Sequence, residues 1–181
     1  MLTPQEIAWF DQQDADVARL VREHGWMVEI VGTGRCDCCE EVGPPEEEHW
    51  DEVDDELTPP FAYSVGLFGM GHPELVITGL SAPVMHRIIN EVASRVFDGE
   101  QLIAGQQIAL DEVAAGLKVI VEELPNPGEI VFTANRFYKR PAEASVEAFV
   151  LTWCDEDGRF PWDPGYDVES TAQPRPGTWC A

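Results

Sequence analysis

A chain of 181 residues that is 44% hydrophobic can bury one substantial core, which matches a globular protein rather than a disordered one. Its 34 Asp and Glu against 11 Lys and Arg give a formal net charge of -23, which argues against the cation clusters that phosphate-backbone binding requires. No apolar run is long enough to span a membrane, and Pro4, Gln5 and Glu6 before Ile7 lack the basic-then-apolar layout expected of a secretory leader. The expectation is a cytoplasmic protein that touches neither membrane nor nucleic acid directly.

Thr3-Pro4-Gln5-Glu6 reads as a capping box opening a helix, with Ile7, Phe10, Val17, Leu20, Val21 and His24 on one face and Gly25 at its end. Trp26 to Val31 then reads as a strand. Residues 32–60 break both periodicities with paired prolines and an acidic run of eleven Asp or Glu and no Lys or Arg between Asp37 and Glu56. They are expected to form a long solvated insertion, kept extended by like-charge repulsion. Phe61 to Leu67 and Glu74 to Thr78 are apolar, bounded by Pro and Gly, and read as a hairpin-like pair of buried strands with the His72 turn between them.

Ser81 is suited to cap a second helix whose stripe of Met85, Ile88, Ile89, Val92 and Val96 faces the core before Asp98-Gly99 ends it. Strands are expected at Gln107 to Leu110, Leu117 to Glu123 and Val146 to Cys154, with a helical turn after Pro127-Gly128 carrying Phe137 and Tyr138. From Arg159 onward the prolines forbid a sheet interior, so residues 159–181 are expected to wrap the core as an irregular aromatic tail with Trp162 packed on it. The layer logic gives a single α+β domain over 1–181: a mixed or mostly antiparallel sheet of five or six strands against two main helices.

Five cysteines are an odd number, and without a secretory leader they are expected to be thiols rather than a disulfide framework. Cys36, Cys38, Cys39 and His49 are soft ligands of the kind zinc prefers, but adjacent Cys38 and Cys39 point apart, and the spacing of a structural zinc site is absent. Solvated thiols are preferred, and no cofactor is expected unless zinc is bound there. No dinucleotide or phosphate-loop glycine pattern is present.

The stretch from Phe61 to Glu74 sets Tyr63, Ser64, His72 and Glu74 within a short span. His72 is a candidate acid/base, Glu74 its orienting partner and Tyr63 a hydrogen-bond donor, with Tyr138 or Trp162 as a ligand-binding wall. Strand alternation puts Tyr63 and Ser64 on opposite faces, which favours Tyr63 over Ser64 as the third member. The alternative is that His72 and Glu74 only satisfy backbone groups of the turn.

Phe61-Ala62-Tyr63-Ser64-Val65-Gly66-Leu67, Gly71-His72-Pro73-Glu74-Leu75, Phe137-Tyr138 and Asp157-Gly158-Arg159-Phe160-Pro161-Trp162-Asp163-Pro164-Gly165 together resemble the bacterial domain of unknown function family 4262, from about Asp14 to Pro174. The resemblance implies no activity. The chain departs from it by the insertion holding Cys36, Cys38, Cys39 and His49. The leading expectation is therefore an acidic binding or interaction protein with an unidentified protein or small-molecule partner. The alternatives are a small hydrolytic or proton-transferring enzyme using His72, Glu74 and Tyr63, and a nucleic-acid-mimicking decoy for a basic partner.

Overall fold

A computed structural model of the protein describes residues 3–32 and 59–181. Helix α1 (Pro4–His24) runs into strand β1 (Met27–Val31), and β2 (Phe61–Val65) reaches β3 (Glu74–Thr78) through a short 3-10 helix, Leu67–Met70. Then follow α2 (Ala82–Phe97), β4 (Gln107–Ala109), β5 (Lys118–Glu123), α3 (Phe132–Phe137) and β6 (Ala148–Trp153). The strands form one sheet in the order β1-β2-β3-β6-β5-β4. Every neighbouring pair is antiparallel except β3 and β6, so the fold is α+β with a six-stranded mixed sheet.

The parallel pair sits at the centre of the sheet, and the long crossover that parallel strands need here carries α2, the β4–β5 hairpin and α3. Strands β2 and β3 are buried at every position, which is why their sequences run apolar instead of alternating. On one face of the sheet, Met85, Ile88, Ile89 and Val92 of α2 pack on Ala62, Leu75, Ile77 and Leu151. On the other, Val17 of α1 and Ala134 of α3 join Phe61, Tyr63, Val76 and Val150. The two long helices thus lie on opposite faces of the sheet.

Ser81 holds the N-cap position of α2, but its hydroxyl makes no capping bond, and its carbonyl accepts from Val84 and Met85 instead. The expected apolar face of α1 is only half realised. Val17 is buried, but Ile7 and Trp9 near its start are exposed, because the sheet supports only the end of the helix nearest β1. The Glu6 side chain of the expected capping box and the whole acidic run lie outside the described residues.

Candidate functional site

The ladder between β2 and β3 ends at the Tyr63–Val76 pair. One residue on, Ser64 Oγ takes the place of a backbone acceptor: it receives the Leu75 N–H at 2.8 Å and donates to Glu74 Oε2 at 2.5 Å. The chain then turns at Gly66 with φ 137, where a Cβ would stand 2.5 Å from the Gly25 carbonyl oxygen, so glycine alone fits. The amides of Gly66, Leu67 and Phe68, which open the 3-10 helix and have no partner within it, converge on the Glu74 carboxyl at 2.9, 3.3 and 3.1 Å. Glu74 is fully buried. Burial pushes its carboxyl up to about 7, although the Ser64 hydroxyl and the three amides pull the other way.

His72 is buried too, with Nδ1 bonded to the Pro73 carbonyl at 2.7 Å, its ring edge-on to Phe149 and Nε2 without a partner. Burial lowers its pKa against the pull of the Pro73 carbonyl, which leaves a neutral imidazole with the proton on Nδ1. Among the described residues no hydrogen bond joins His72 to Glu74. Tyr63 points into the other layer, where its hydroxyl accepts the Thr133 N–H at 3.1 Å. The expected partnership of Tyr63 with Glu74 is therefore replaced by that of Ser64: β2 stays paired with β1 through Val65, so Tyr63 and Ser64 face opposite ways, and the Ser64 side chain is the one that meets the carboxyl.

Tyr138 does reach the turn. Its hydroxyl accepts the Gly69 N–H at 2.9 Å and its ring packs against Phe68, while burial, reinforced by the charge of Glu74, pushes the phenol up to about 12. Trp162 does not. It is 50% exposed, stacked on Phe160 beneath the Arg175 guanidinium, which corrects the expectation that it packs on the core; Phe160 takes that buried place.

A concave feature among the described residues lies elsewhere, between the start of α2, the turn joining β4 to β5, and the tail after β6. It is a cleft of about 630 Å³. It is lined by apolar side chains of Leu80, Val84, Leu117, Trp153 and Val168, by the buried Asp155 and by the exposed acids Glu156, Asp157 and Asp167. Asp155 organises this acidic group. Its carboxylate accepts the amides of Arg159 at 2.8 Å and Asp157 at 3.0 Å, and reaches that of Asp167 at 3.4 Å. Desolvation opposes its charge, but those amides and the Arg159 guanidinium hold its pKa below the usual carboxylate range. Arg159 also engages Asp157 and the Gly165 carbonyl.

Of the residues that hold these places together, Ser64 ranks below Tyr63 in the sequence and Gln173 carries no expected role. Gln173 is nearly buried; its side-chain amide accepts the Trp153 N–H at 2.7 Å and donates to the Trp153 carbonyl at 3.0 Å, acting as a strand-edge partner for β6. Its burial leaves no mark in the sequence, where it is one polar residue of a proline-rich tail. Cys36, Cys38, Cys39 and His49 lie outside the described residues. Among the described residues no group of three or more His, Cys, Asp or Glu is placed to hold a metal ion, and Cys154 is enclosed between Lys118 and Gly116. Nor is any described helix long and apolar enough to cross a membrane.

The mixed sheet, the carboxyl-capped turn and the acid-lined cleft define an α+β domain built around a central parallel pair. Residues 20–167 match the family described as Domain of unknown function (DUF4262), and the chain belongs to that family. No curated protein and no solved structure matches the chain.

Proposed function

We propose that this protein is a binding or interaction module that acts through the cleft beside the β4–β5 turn, with an unidentified partner and a cytoplasmic setting. The observation that carries this reading is the contrast between the two candidate places. At the turn, the polar groups of Glu74, Tyr63 and Tyr138 are bonded internally, and the carboxyl and imidazole are sealed from solvent. The cleft combines apolar side chains with exposed polar groups, the usual make-up of a ligand site.

A proton-transferring enzyme built on His72, Glu74 and Tyr63 has less support, because proton transfer needs donors and acceptors within reach of a substrate. The decoy reading turns on the acids between Asp37 and Glu56, which lie outside the described residues.

The test is fragment screening by amide chemical-shift mapping on the full chain. Hits are expected to shift Leu80, Val84, Gly116, Leu117 and Val168, and Ala115→Trp, which adds bulk at an exposed rim position, is expected to remove them. Hits that instead centre on Gly69, His72 and Glu74 would overturn the assignment.

A further inference from the structure

Resting on the reading of the cleft as the binding site, we infer that its occupant is a basic peptide segment of a protein partner, one that pairs an apolar side chain with a neighbouring Lys or Arg. Three features select this chemistry. Leu80, Val84, Leu117 and Val168 give the lining a set of aliphatic side chains, so the inserted group is apolar. In the same lining, Glu156 and Asp167 are exposed and make no side-chain hydrogen bond or ion pair among the described residues, whereas Asp157 is held by Arg159 and Asp155 by backbone amides. Two carboxylates are therefore free to meet a cation as the apolar group enters.

The third feature is the balance of charge around the opening. Arg159 and Lys118 are the nearby cations, against four carboxylates, so an anionic ligand is repelled and a neutral one leaves Glu156 and Asp167 unused. A cleft of about 630 Å³ has room for more than one side chain, which favours a peptide segment over a small free amine. The net charge of -23 acts at longer range, steering a basic macromolecule toward the surface and raising its association rate.

The inference is tested by fluorescence anisotropy of the full chain with four labelled probes. These are an eight-residue peptide of alternating Lys and Leu, the same peptide with Ser for Leu, the same with Glu for Lys, and a labelled hexylamine. The Lys-Leu peptide is expected to bind at least tenfold more tightly than the other three. Glu156→Gln with Asp167→Asn should weaken it about tenfold without lowering the melting temperature, since neither side chain has a partner to lose, and Ala115→Trp should abolish it.

Equal binding of the Lys-Ser peptide, or indifference to the double variant, would show attraction by the acidic surface at large and overturn the inference. Tighter binding of hexylamine than of the Lys-Leu peptide would overturn the choice of a peptide. If the Glu-Leu peptide binds best and Ala115→Trp abolishes that binding, the cleft remains the site and the cationic ligand is wrong. If Ala115→Trp alters no probe, both the inference and the reading beneath it fail.

Discussion

Glu74 is a buried carboxyl whose hydrogen-bonding partners are one hydroxyl and three amides, with no cation among them. Its folded pKa of about 7 stands above the ordinary 4.5 because desolvation outweighs those four donors. A carboxyl raised in this way binds its proton more tightly in the folded chain than in the unfolded one. The linked stability is complete below about pH 4.5 and is lost as pH rises through about 7. That interval is worth roughly 3 kcal/mol. Glu74→Gln has no proton to lose, so the stability of the native protein minus that of the variant should fall by about this amount across the window, as measured by urea unfolding at several pH values. The lowered pKa of His72 acts in the opposite direction, but both proteins share it and the subtraction removes it. A flat difference would show that the amides keep Glu74 ionised throughout. At the same turn, Gly66→Ala should cost at least about 2 kcal/mol, because it combines a strained φ with a Cβ driven onto the Gly25 carbonyl.

Helix α3 shows how an element can be stopped by an unsuitable residue. Lys139 N–H bonds to the Arg136 carbonyl and Arg140 N–H to that of Asn135, the paired bonds of a Schellman motif, with Lys139 at φ 53 in the position that glycine prefers. Lys139→Gly should therefore stabilise the protein by about 1 kcal/mol, read as a higher unfolding midpoint; an unchanged or lower midpoint would mean that the Lys139 side chain contributes packing of its own. Most elements were legible in the sequence. The six strands and α2 fall within a few residues of their expected bounds, because Pro, Gly and a regular stripe such as Met85, Ile88, Ile89 and Val92 mark them locally. The pairing of β3 with β6, and the face on which each helix lies, depend on contacts between distant segments that local periodicity does not encode. At the turn, Glu74 and Tyr138 meet at the same 3-10 helix, whereas the sequence groups His72 and Glu74 with Tyr63 and prefers Tyr63 to Ser64. The alternation of β2 holds at both residues, and which of its two faces meets the Glu74 carboxyl depends on the turn after Val65, which strand periodicity does not encode. The cleft was not legible at all, since its lining comes from α2, the β4–β5 turn, the end of β6 and the tail, and none of these carries a motif for it.

At the scale of the whole molecule, the residues after β6 close the fold. Phe160 is buried, Gln173 completes the hydrogen bonding of Trp153, Arg175 pairs with Glu122 of β5, and Trp179 is buried edge-on to Phe61 on the α1–α3 side of the sheet. Gly79 lies so close beneath this tail that a Cβ there would stand 1.9 Å from the Ala172 carbonyl oxygen. The tail thus holds several separated parts of the sheet, and its aromatics differ in what they contribute. Trp179→Ala should cost about 3 kcal/mol, as expected for deleting a large buried aromatic. Trp162→Ala should cost under about 1 kcal/mol, since half of its surface is already in water and the Arg175 contact is partly exposed. Truncation after Gly158 removes Phe160, Gln173 and Trp179 together and exposes the Trp153 backbone groups, so the loss should reach several kcal/mol and exceed that of either substitution. Urea unfolding of the three proteins gives the comparison. Should the truncated chain unfold at the same urea concentration as the intact one, the tail would not be a closing element, and the rim of the cleft that it forms would have to be held by β6 and the β4–β5 turn alone.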